Sequence, residues 1–285
     1  MDWSRYDGTI PEEVFRQIKD IRFGMLSPEY RTKKYRSIYT WYCNYLLDRY
    51  VLLPSGEVTH QLRGNPSGQV STTMDNNMVN TFLQAFEFMY VNDLSLDAAK
   101  EKWEFYDTIV YGDDRVTSSP LVPQNYAELV IEMYANIFGM WVKPENVKVF
   151  DTLLGVSFCG FTNILHKGMY LPVPSNVNKL VASLVTPCKK LPDIEALYGK
   201  VLSFKVLFHN LPDSDPGKEF LLNCELTLRR HMENAGQQPV NFTDSMLDYL
   251  WRGGPKDSHG VRRRQEEDGQ ENKGGGQEGG KERGK

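Results

Sequence analysis

The chain has 285 residues, 40% of them hydrophobic and 12% aromatic, so it can bury a substantial core arranged in one or two domains. Its formal net charge of −4 argues against a protein that coats nucleic acid non-specifically, but it allows a local basic groove. No apolar run approaches the ~18 residues of a membrane span, and four scattered cysteines without a CxxC pair argue against a zinc site or a disulfide framework.

The first third of the chain predicts helices separated by a pair of strands. Thr9 is the expected N-cap of the first helix, with Pro11 in its first turn and Glu12 as capping-box partner. A second helix is expected over residues 29–50 and a strand pair over residues 51–69. Hydrophobic residues at helical spacing then predict a long, largely buried helix that contains Met78, Phe82, Phe86 and Met89.

The rest of the chain predicts a hairpin, a helix, short strands and a helical end. Strand-forming residues flank Gly112, which suits a hairpin turn, and residues 124–138 form an amphipathic pattern. Three further helices are expected at about 191–209, 216–234 and 242–251. This order favours an α+β core followed by a helical subdomain. The tail, residues 253–285, has almost no apolar residues and is expected to be disordered.

Two pairs of aspartates lie at predicted strand ends. "VYGDDRVTSS" sets Asp113 and Asp114 side by side at a turn, and Asp2 and Asp7 form a D-x4-D pair. Adjacent carboxylates raise each other's pKa unless something positive neutralises them. Mg²⁺ prefers carboxylate oxygens and keeps places for water and phosphate, so converging strand ends would make a two-metal site. On this segment alone, an ordinary surface turn stabilised by side-chain-to-backbone bonds explains the pair equally well.

A third group of polar residues lies between the two aspartate pairs. Ser67 and Gly68 lie at the tip of a loop, and Thr72 and Asn76 follow four residues apart on one helix face. Their hydroxyl and amide groups are able to bond a sugar hydroxyl. Helix capping by Ser71 or Thr72 explains single members of the group, but not the whole ordered string.

The three motifs, D-x4-D, SG-x3-T-x3-N and YGDD, resemble palm motifs A, B and C of viral RNA-dependent RNA polymerases. The segments "DWSRYDGTIP", "VYGDDR" and "FGMWVKPE" resemble in particular the polymerases of astroviruses, encoded at the end of their non-structural polyprotein. The resemblance covers about residues 2–250.

The resemblance implies a right-hand polymerase fold, in which an antiparallel palm sheet with packed helices precedes a helical thumb. Residues 1–165 are then expected to form the palm with part of the fingers, residues 166–252 the thumb, and residues 253–285 the tail. The N-terminal fingers are expected to be missing, and the isolated chain is therefore expected to be an inactive C-terminal fragment.

The resemblance also implies roles for the metal-site residues. Asp2 and Asp113 would be the principal ligands of two Mg²⁺ ions, for which Mn²⁺ is a possible substitute, and Asp114 would be an auxiliary ligand. Tyr111 and Gly112 would shape the metal hairpin.

The remaining matched residues concern the nucleotide. Asp7, Ser67, Thr72 and Asn76 would read the ribose, and Gly68 would give the loop its mobility. Reverse transcriptases place a bulky aromatic residue at the position of Asp7, so RNA synthesis is preferred over DNA synthesis. A non-catalytic RNA-binding remnant of the palm is the alternative from another class.

The general acid is less defined. Lys148 is the candidate that would protonate the pyrophosphate, and Lys143 competes with it because the spacing after Pro144 does not separate them. "GVSFCGF", residues 155–161, resembles the primer-gripping hairpin but departs from its usual form. The thumb lysines that could contact product phosphates, although a solvated helix face is preferred for each, are Lys189, Lys190, Lys200 and Lys205.

The implied partners are an RNA template, a primer or product duplex and nucleoside triphosphates. A genome-linked protein primer and other viral replication proteins are further expected partners. The expected context is replication and transcription of a positive-strand RNA genome in the host cytoplasm, at membrane-associated replication complexes.

Overall fold

The computed structural model of the chain describes residues 3–166 and 168–253. The predicted metal ligand Asp2 and the predicted disordered tail beyond Gly253 lie outside these described residues. The chain divides into two compact units, residues 1–170 and 171–285. Their assignment as palm and thumb stays a prediction.

The first unit mixes helices with short antiparallel strands. Its elements are β1 (Trp3–Ser4), α1 (Tyr6–Thr9), α2 (Glu12–Gly24), α3 (Lys33–Leu47), β2 (Arg49–Leu52), β3 (Val58–Gln61), α4 (Thr72–Val91), α5 (Leu96–Trp103), β4 (Asp107–Tyr111), β5 (Asp114–Ser118), α6 (Tyr126–Met133), β6 (Trp141–Val142), β7 (Ser157–Phe158) and β8 (Phe161–His166). The antiparallel pairs are β1 with β6, β2 with β3, β4 with β5, and β7 with β8.

The second unit is helical, as its sequence predicts. Strand β9 (Met169–Pro174) spans the boundary between the units, and four helices follow: α7 (Val177–Val185), α8 (Ile194–Phe208), α9 (Pro216–Asn234) and α10 (Asp244–Arg252). The last three match the three predicted helices, whereas α7 and, in the first unit, α5 were not predicted. Within the described ranges, no helix combines the length and the apolar character needed to cross a membrane.

Two predicted helix boundaries are wrong. Thr9 does not cap α2, because its hydroxyl donates to the carbonyls of Arg5 and Tyr6 within the preceding helical turn, and Pro11 occupies the cap position. The predicted helix over residues 29–50 is shorter, since α3 begins after Thr32, whose hydroxyl accepts the Tyr35 N–H. Pairing with β3 takes residues 49–52 into a strand instead.

The buried face of α4 differs from the predicted one. The helix exists as predicted, but Phe82 is 37% exposed while Val79 and Leu83 are fully buried. The same face buries five polar side chains: Asp75, Asn76, Asn80, Gln84 and Glu87. Hydrophobic periodicity could not identify this face, because a polar residue is buried only where a distant group satisfies it.

The main core of the first unit packs around α4. Its buried members come from β1 through β6 and the turn that follows β6. The largest of them include Phe15, Leu83, Met133, Tyr134 and Met140. Trp3 joins this core, with its ring centroid 4.6 Å from that of Tyr134 in an edge-on contact. The core therefore joins β1, α4, α6 and β6 in one scaffold.

Candidate active site

The Gly-Asp-Asp segment forms the tight turn between β4 and β5. Tyr111 pairs with Asp114, so Gly112 and Asp113 are the two turn residues. Gly112 has φ +65°, in the left-handed region that glycine occupies without steric cost. The predicted hairpin and the predicted role of Gly112 in shaping its turn are both confirmed.

Side chains from α4 and β1 hold this turn through its backbone. The Gly112 N–H donates to Asn77 Oδ1 at 2.6 Å. Asn80 Nδ2 donates to the carbonyl oxygens of Gly112 and Asp113 at 3.1 and 3.2 Å, and Trp3 Nε1 donates to the Asp113 carbonyl at 3.1 Å. Asn80 is fully buried, and hydrogen bonds in the protein interior are strong and costly to lose. Neither Asn77 nor Asn80 was identified from the sequence.

Asp114 contacts the tip of the hairpin formed by β7 and β8. Its Oδ2 accepts the backbone N–H of Cys159 at 3.1 Å. Cys159 and Gly160 both have positive φ, +50° and +79°, as a tight hairpin turn requires. Burial raises the pKa of the Cys159 thiol, and the Asp114 carboxylate beside it raises it further. The segment predicted to resemble a primer-gripping hairpin therefore lies against a predicted metal ligand.

Asp7 is the centre of a second polar cluster. Its Oδ1 accepts Asn76 Nδ2 at 2.6 Å, and its Oδ2 accepts the Ser67 hydroxyl. Asn76 Oδ1 in turn accepts Asn65 Nδ2 at 2.8 Å. The structure thus brings together three of the predicted ribose residues, which lie on α1, on the loop before α4 and on α4 itself.

The loop that carries Ser67 is clamped against α1. The Gly64 N–H donates to the Ile10 carbonyl at 2.9 Å, and the Asn65 N–H donates to the Asp7 carbonyl at 2.6 Å. Gly64 has φ +84°, and a Cβ there would overlap the Asp7 carbonyl oxygen. At Gly68, by contrast, a Cβ would meet nothing within 4 Å. The steric requirement for glycine is therefore at Gly64, and the mobility assigned to Gly68 stays a prediction.

Thr72 lies beside this cluster but makes different bonds. Its hydroxyl donates to the carbonyls of Pro66 and Gln69 at 2.6 and 2.9 Å. These two carbonyls flank Ser67 in the loop before α4, so the bonds from Thr72 fix the loop segment that carries Ser67. A direct bond from Thr72 to a ribose stays a prediction.

A buried ionic network anchors the start of α4 to α2. Asp75 is fully buried and accepts hydrogen bonds from Lys19 Nζ at 2.6 Å, from Arg22, from Gln69 Nε2 at 2.6 Å and from the Ser71 hydroxyl at 2.8 Å. Burial opposes ionisation of Asp75, but the hydrogen bonds from Lys19, Arg22 and Ser71 outweigh it, so the pKa of the carboxyl is lowered.

A second buried ion pair ties β5 to α4 and α6. Arg115, the residue after the aspartate pair, lies 2.5 Å from Glu87, and both side chains are 3% exposed. Tyr126 and Tyr134 donate their hydroxyls to Glu87, and burial followed by the Glu87 charge raises the pKa of both phenols. Burial disfavours the charged Arg115, yet Glu87 raises its pKa well above the usual value. Arg115 therefore stays ionised and ties the hairpin of β4 and β5 to α4.

The two lysines predicted as general acid differ in their surroundings. Lys148 is exposed in a segment without regular structure, and it forms no ion pair or hydrogen bond with the residues that the structure describes. Lys143 is half-buried before the 3-10 turn Pro144–Asn146. The role of general acid stays a prediction for either residue.

The four lysines for which a solvated helix face was preferred over a contact with product phosphates differ in their surroundings. Lys189 and Lys190 are exposed. Lys200 donates to the Ser183 carbonyl, and Lys205 lies 3.0 Å from the buried Glu225. The solvated helix face preferred for each lysine is therefore wrong for Lys205, because the buried carboxylate pairs with it.

The side chains of the aspartate pair have the oxygen ligands that a hard divalent cation binds. Asp113 and Asp114 supply carboxylate oxygens, the donors that Mg²⁺ prefers. Within residues 3–166 and 168–253, no group of three or more acidic, histidine or cysteine side chains is placed to hold a metal ion. Asp2, the third predicted ligand, lies outside the described residues; it directly precedes Trp3, whose indole bonds the Asp113 carbonyl.

The fold defines the class of protein. The structure is similar to the crystal structure of an insertion loop deletion mutant of the RNA-dependent RNA polymerase of a human picobirnavirus, with a TM-score of 0.57 and 17% sequence identity. The similarity covers 94% of this chain and 46% of that chain. The predicted α+β fold of a right-hand polymerase palm followed by helices is therefore confirmed.

The sequence comparisons define the family. The family described as viral RNA-dependent RNA polymerase matches residues 1–190, and the chain belongs to this family. It is 53% identical over 261 residues to non-structural polyprotein 1AB of ovine astrovirus 1, and 54% identical over 257 residues to that of mink astrovirus 1. These matches cover 91% and 90% of this chain, but the chain spans only 19% and 18% of the two relatives. The predicted astrovirus resemblance is confirmed.

Proposed function

We propose that this chain carries the catalytic centre of an RNA-directed RNA polymerase that copies a positive-strand viral RNA genome. The observation that carries the proposal is that one helix, α4, organises both halves of the site. Asn76 bonds the Asp7 carboxylate at 2.6 Å, while Asn77 and Asn80 hold the turn that carries Asp113. The Asp7 half would bind the nucleotide sugar and the Asp113 half the metal-bound phosphate, and the reaction requires a fixed distance and orientation between the two.

Asp2, Asp113 and Asp114 would hold two Mg²⁺ ions, with Mn²⁺ as a substitute. Bound there, divalent cations would activate the primer 3′-hydroxyl and neutralise charge that develops on the leaving pyrophosphate. The chain's own contribution is positioning: Trp3, Asn77 and Asn80 fix the backbone of the turn.

The Asp7 cluster would recognise the ribose. A carboxylate that accepts bonds from Ser67 and Asn76 presents oxygens toward which a 2′-hydroxyl can donate. A site built to bond a substrate hydroxyl disfavours the analogue without it, because its polar groups are then left unpaired. This supports ribonucleotides as substrates over the deoxynucleotides of a reverse transcriptase. Thr72 would act through the loop that positions Ser67.

Further roles and partners belong to the same proposal. Lys148, or Lys143 in its place, would donate the proton to the pyrophosphate. The partners would be template RNA, a primer or product duplex, nucleoside triphosphates, a genome-linked protein primer and other viral replication proteins. The reaction would take place in the host cytoplasm, at membrane-associated replication complexes.

Primer extension by the full-length polymerase that contains this sequence tests the proposal. We expect Asp113→Ala to abolish Mg²⁺-dependent incorporation of ribonucleotides, because the metal site would lose a principal ligand. The control is Asp97→Ala, which removes a carboxylate that is 94% exposed on α5 and should leave incorporation unchanged. Intact incorporation by Asp113→Ala would refute the proposed catalytic centre.

A further inference from the structure

Helix α3 and the turn before it carry a basic surface that the proposed catalytic centre does not use. Residues 31–47 contain no acidic residue, although the net charge of the chain is −4. The same stretch contains four basic residues: Arg31, Lys33, Lys34 and Arg36. The stretch is therefore a local cluster of four positive charges without an acidic neighbour in sequence, which is the electrostatic pattern expected for a nucleic-acid contact.

Aromatic side chains lie exposed along the same helix. Tyr35 is 40% exposed, Trp41 61% and Tyr45 65%. Positions three to four residues apart lie on one helix face, and the rings of Trp41 and Tyr45 contact each other with centroids 5.0 Å apart. Single exposed aromatic residues are normal on a protein surface, but Trp41 and Tyr45 form a contiguous pair, which provides a larger apolar contact area.

A groove between the end of α2 and the start of α3 brings the two features together. It has a volume of about 750 Å³, and its lining includes Arg31, Lys33, Arg36 and Trp41. That volume lies within the range of about 300–1,000 Å³ typical of small-molecule sites. The groove thus places cationic groups beside an exposed indole.

Most of the positive charge is available to a ligand. Arg36 is partly engaged, since it lies 2.7 Å from Asp20 and its guanidinium lies 4.7 Å from the centre of the Phe23 ring. Among the described residues, no acidic side chain forms an ion pair with Arg31, Lys33 or Lys34. Their charges are therefore not neutralised within this unit.

We propose that single-stranded RNA binds to this surface, defined by Arg31, Lys33, Lys34, Trp41 and Tyr45 and named the α3 surface. Cationic groups would bind the phosphates, and the indole and phenol rings would stack on the bases. A protein partner fits less well, because the centre of a protein interface is depleted of charged residues and of lysine in particular. The α3 surface is a binding site in addition to the proposed catalytic centre.

The phosphate contacts are tested by the salt dependence of binding. The affinity of the 285-residue chain for a fluorescein-labelled oligouridylate of about eight nucleotides is measured by fluorescence anisotropy over a range of salt. Each phosphate contact on a single strand contributes about 0.7 to the slope of log K against log salt. We expect the double variant Lys33→Gln with Lys34→Gln to lower that slope by about 1.4. The control, Lys100→Gln with Lys102→Gln, makes the same charge change on α5 and should leave it unchanged.

The stacking contact is tested by aromatic substitution. We expect Trp41→Ala to weaken binding at least about fivefold, and Trp41→Phe to retain most of the affinity because a phenyl ring still stacks. The control is Tyr249→Ala, which removes an aromatic side chain that is 66% exposed on α10 and should not change the affinity.

Different results would overturn the proposed RNA site in different ways. Wild-type affinity in the Trp41→Ala and double-lysine variants would overturn the proposal, as would equal losses of slope in the lysine variant and its control. A dimer of the wild-type chain that dissociates in the Trp41→Ala variant, measured by sedimentation, would show that the α3 surface is a protein interface instead. Oligonucleotide binding is measured without nucleoside triphosphates, whereas the proposed catalytic centre is tested by incorporation, so failure of that centre would not mimic failure of the α3 surface.

Discussion

Asp7 shows most clearly how single residues acquire a role in this protein. The aspartate lies in a short helical turn, and its two carboxylate oxygens accept bonds from Ser67 and Asn76. Burial raises the pKa of the neighbouring Tyr6 phenol, which donates to the Asn76 carbonyl and stays neutral. Ser67 and Asn76 therefore fix the orientation of the Asp7 carboxylate, which is the group proposed to accept a bond from the nucleotide.

Substitution of Asp7 should weaken discrimination between sugars. We expect Asp7→Ala in the full-length polymerase to reduce the preference for ribonucleotides over deoxynucleotides at least about tenfold, since the acceptor for the 2′-hydroxyl is lost. The ratio of kcat/KM values for a matched pair of triphosphates measures this. Asp97→Ala should keep the wild-type ratio, and an unchanged ratio in Asp7→Ala would contradict the assigned role.

Gly64 offers a stability test with a matched control close by. Gly64→Ala forces a side chain into φ +84° and against the Asp7 carbonyl, whereas Gly68→Ala meets nothing within 4 Å. We expect the first change to lower the free energy of unfolding by about 1–3 kcal/mol and the second to change it little. Urea unfolding of both variants measures the difference. Equal stabilities would show that the loop at Gly64 can move away from α1.

At the scale of elements, α4 is the organising helix because its buried face is polar. From its first turn onward it contacts α2 through Asp75, α1 through Asn76, the turn between β4 and β5 through Asn80, and β5 through Glu87. Each contact satisfies a buried polar group that would otherwise cost free energy. The helix therefore fixes the positions of four elements relative to one another.

The Asp75 network should make stability depend on acid pH. The pKa of Asp75 is lowered in the folded state, so its stabilising contribution is complete above the ordinary carboxyl pKa of 3.8 and is lost as the pH falls below it. Asp75→Asn leaves the buried Lys19 without its carboxylate and should cost about 3–5 kcal/mol at pH 7.

Unfolding in urea at pH 7 and below pH 4 measures both effects. The variant should lose less stability on acidification than the wild-type chain, because the group that titrates is gone. Asp97→Asn, with its 94% exposed carboxylate, serves as control and should stay within about 0.5 kcal/mol of wild type. A wild-type pH dependence in Asp75→Asn would show that the acid sensitivity has another origin.

At the scale of the whole molecule, each compact unit has its own core. In the second unit, Tyr198, Leu202 and Met232 pack together, and the Tyr198 hydroxyl donates to the Val240 carbonyl at 2.7 Å. For binding of a charged partner, the local distribution of charge matters more than the net charge, since a chain with a net charge of −4 carries the basic α3 surface. The chain spans only about a fifth of the length of the curated relatives that it matches.

Local sequence determined the features that depend on neighbours along the chain. The hairpin around Gly112, the helix after residue 71 and the three last helices follow from turn chemistry and periodicity, and the ordered aspartate and Ser-Gly motifs identified the family. The partners of those motifs required the folded chain. Asn80 meets a turn 32 residues away, Asn76 meets Asp7 across 69 residues, and Gly64 is constrained by a backbone segment from α1. The sequence does not show whether a polar residue is buried, because burial requires a hydrogen-bond partner that can lie far away along the chain. The buried face of α4 therefore follows from tertiary contacts and not from hydrophobic periodicity.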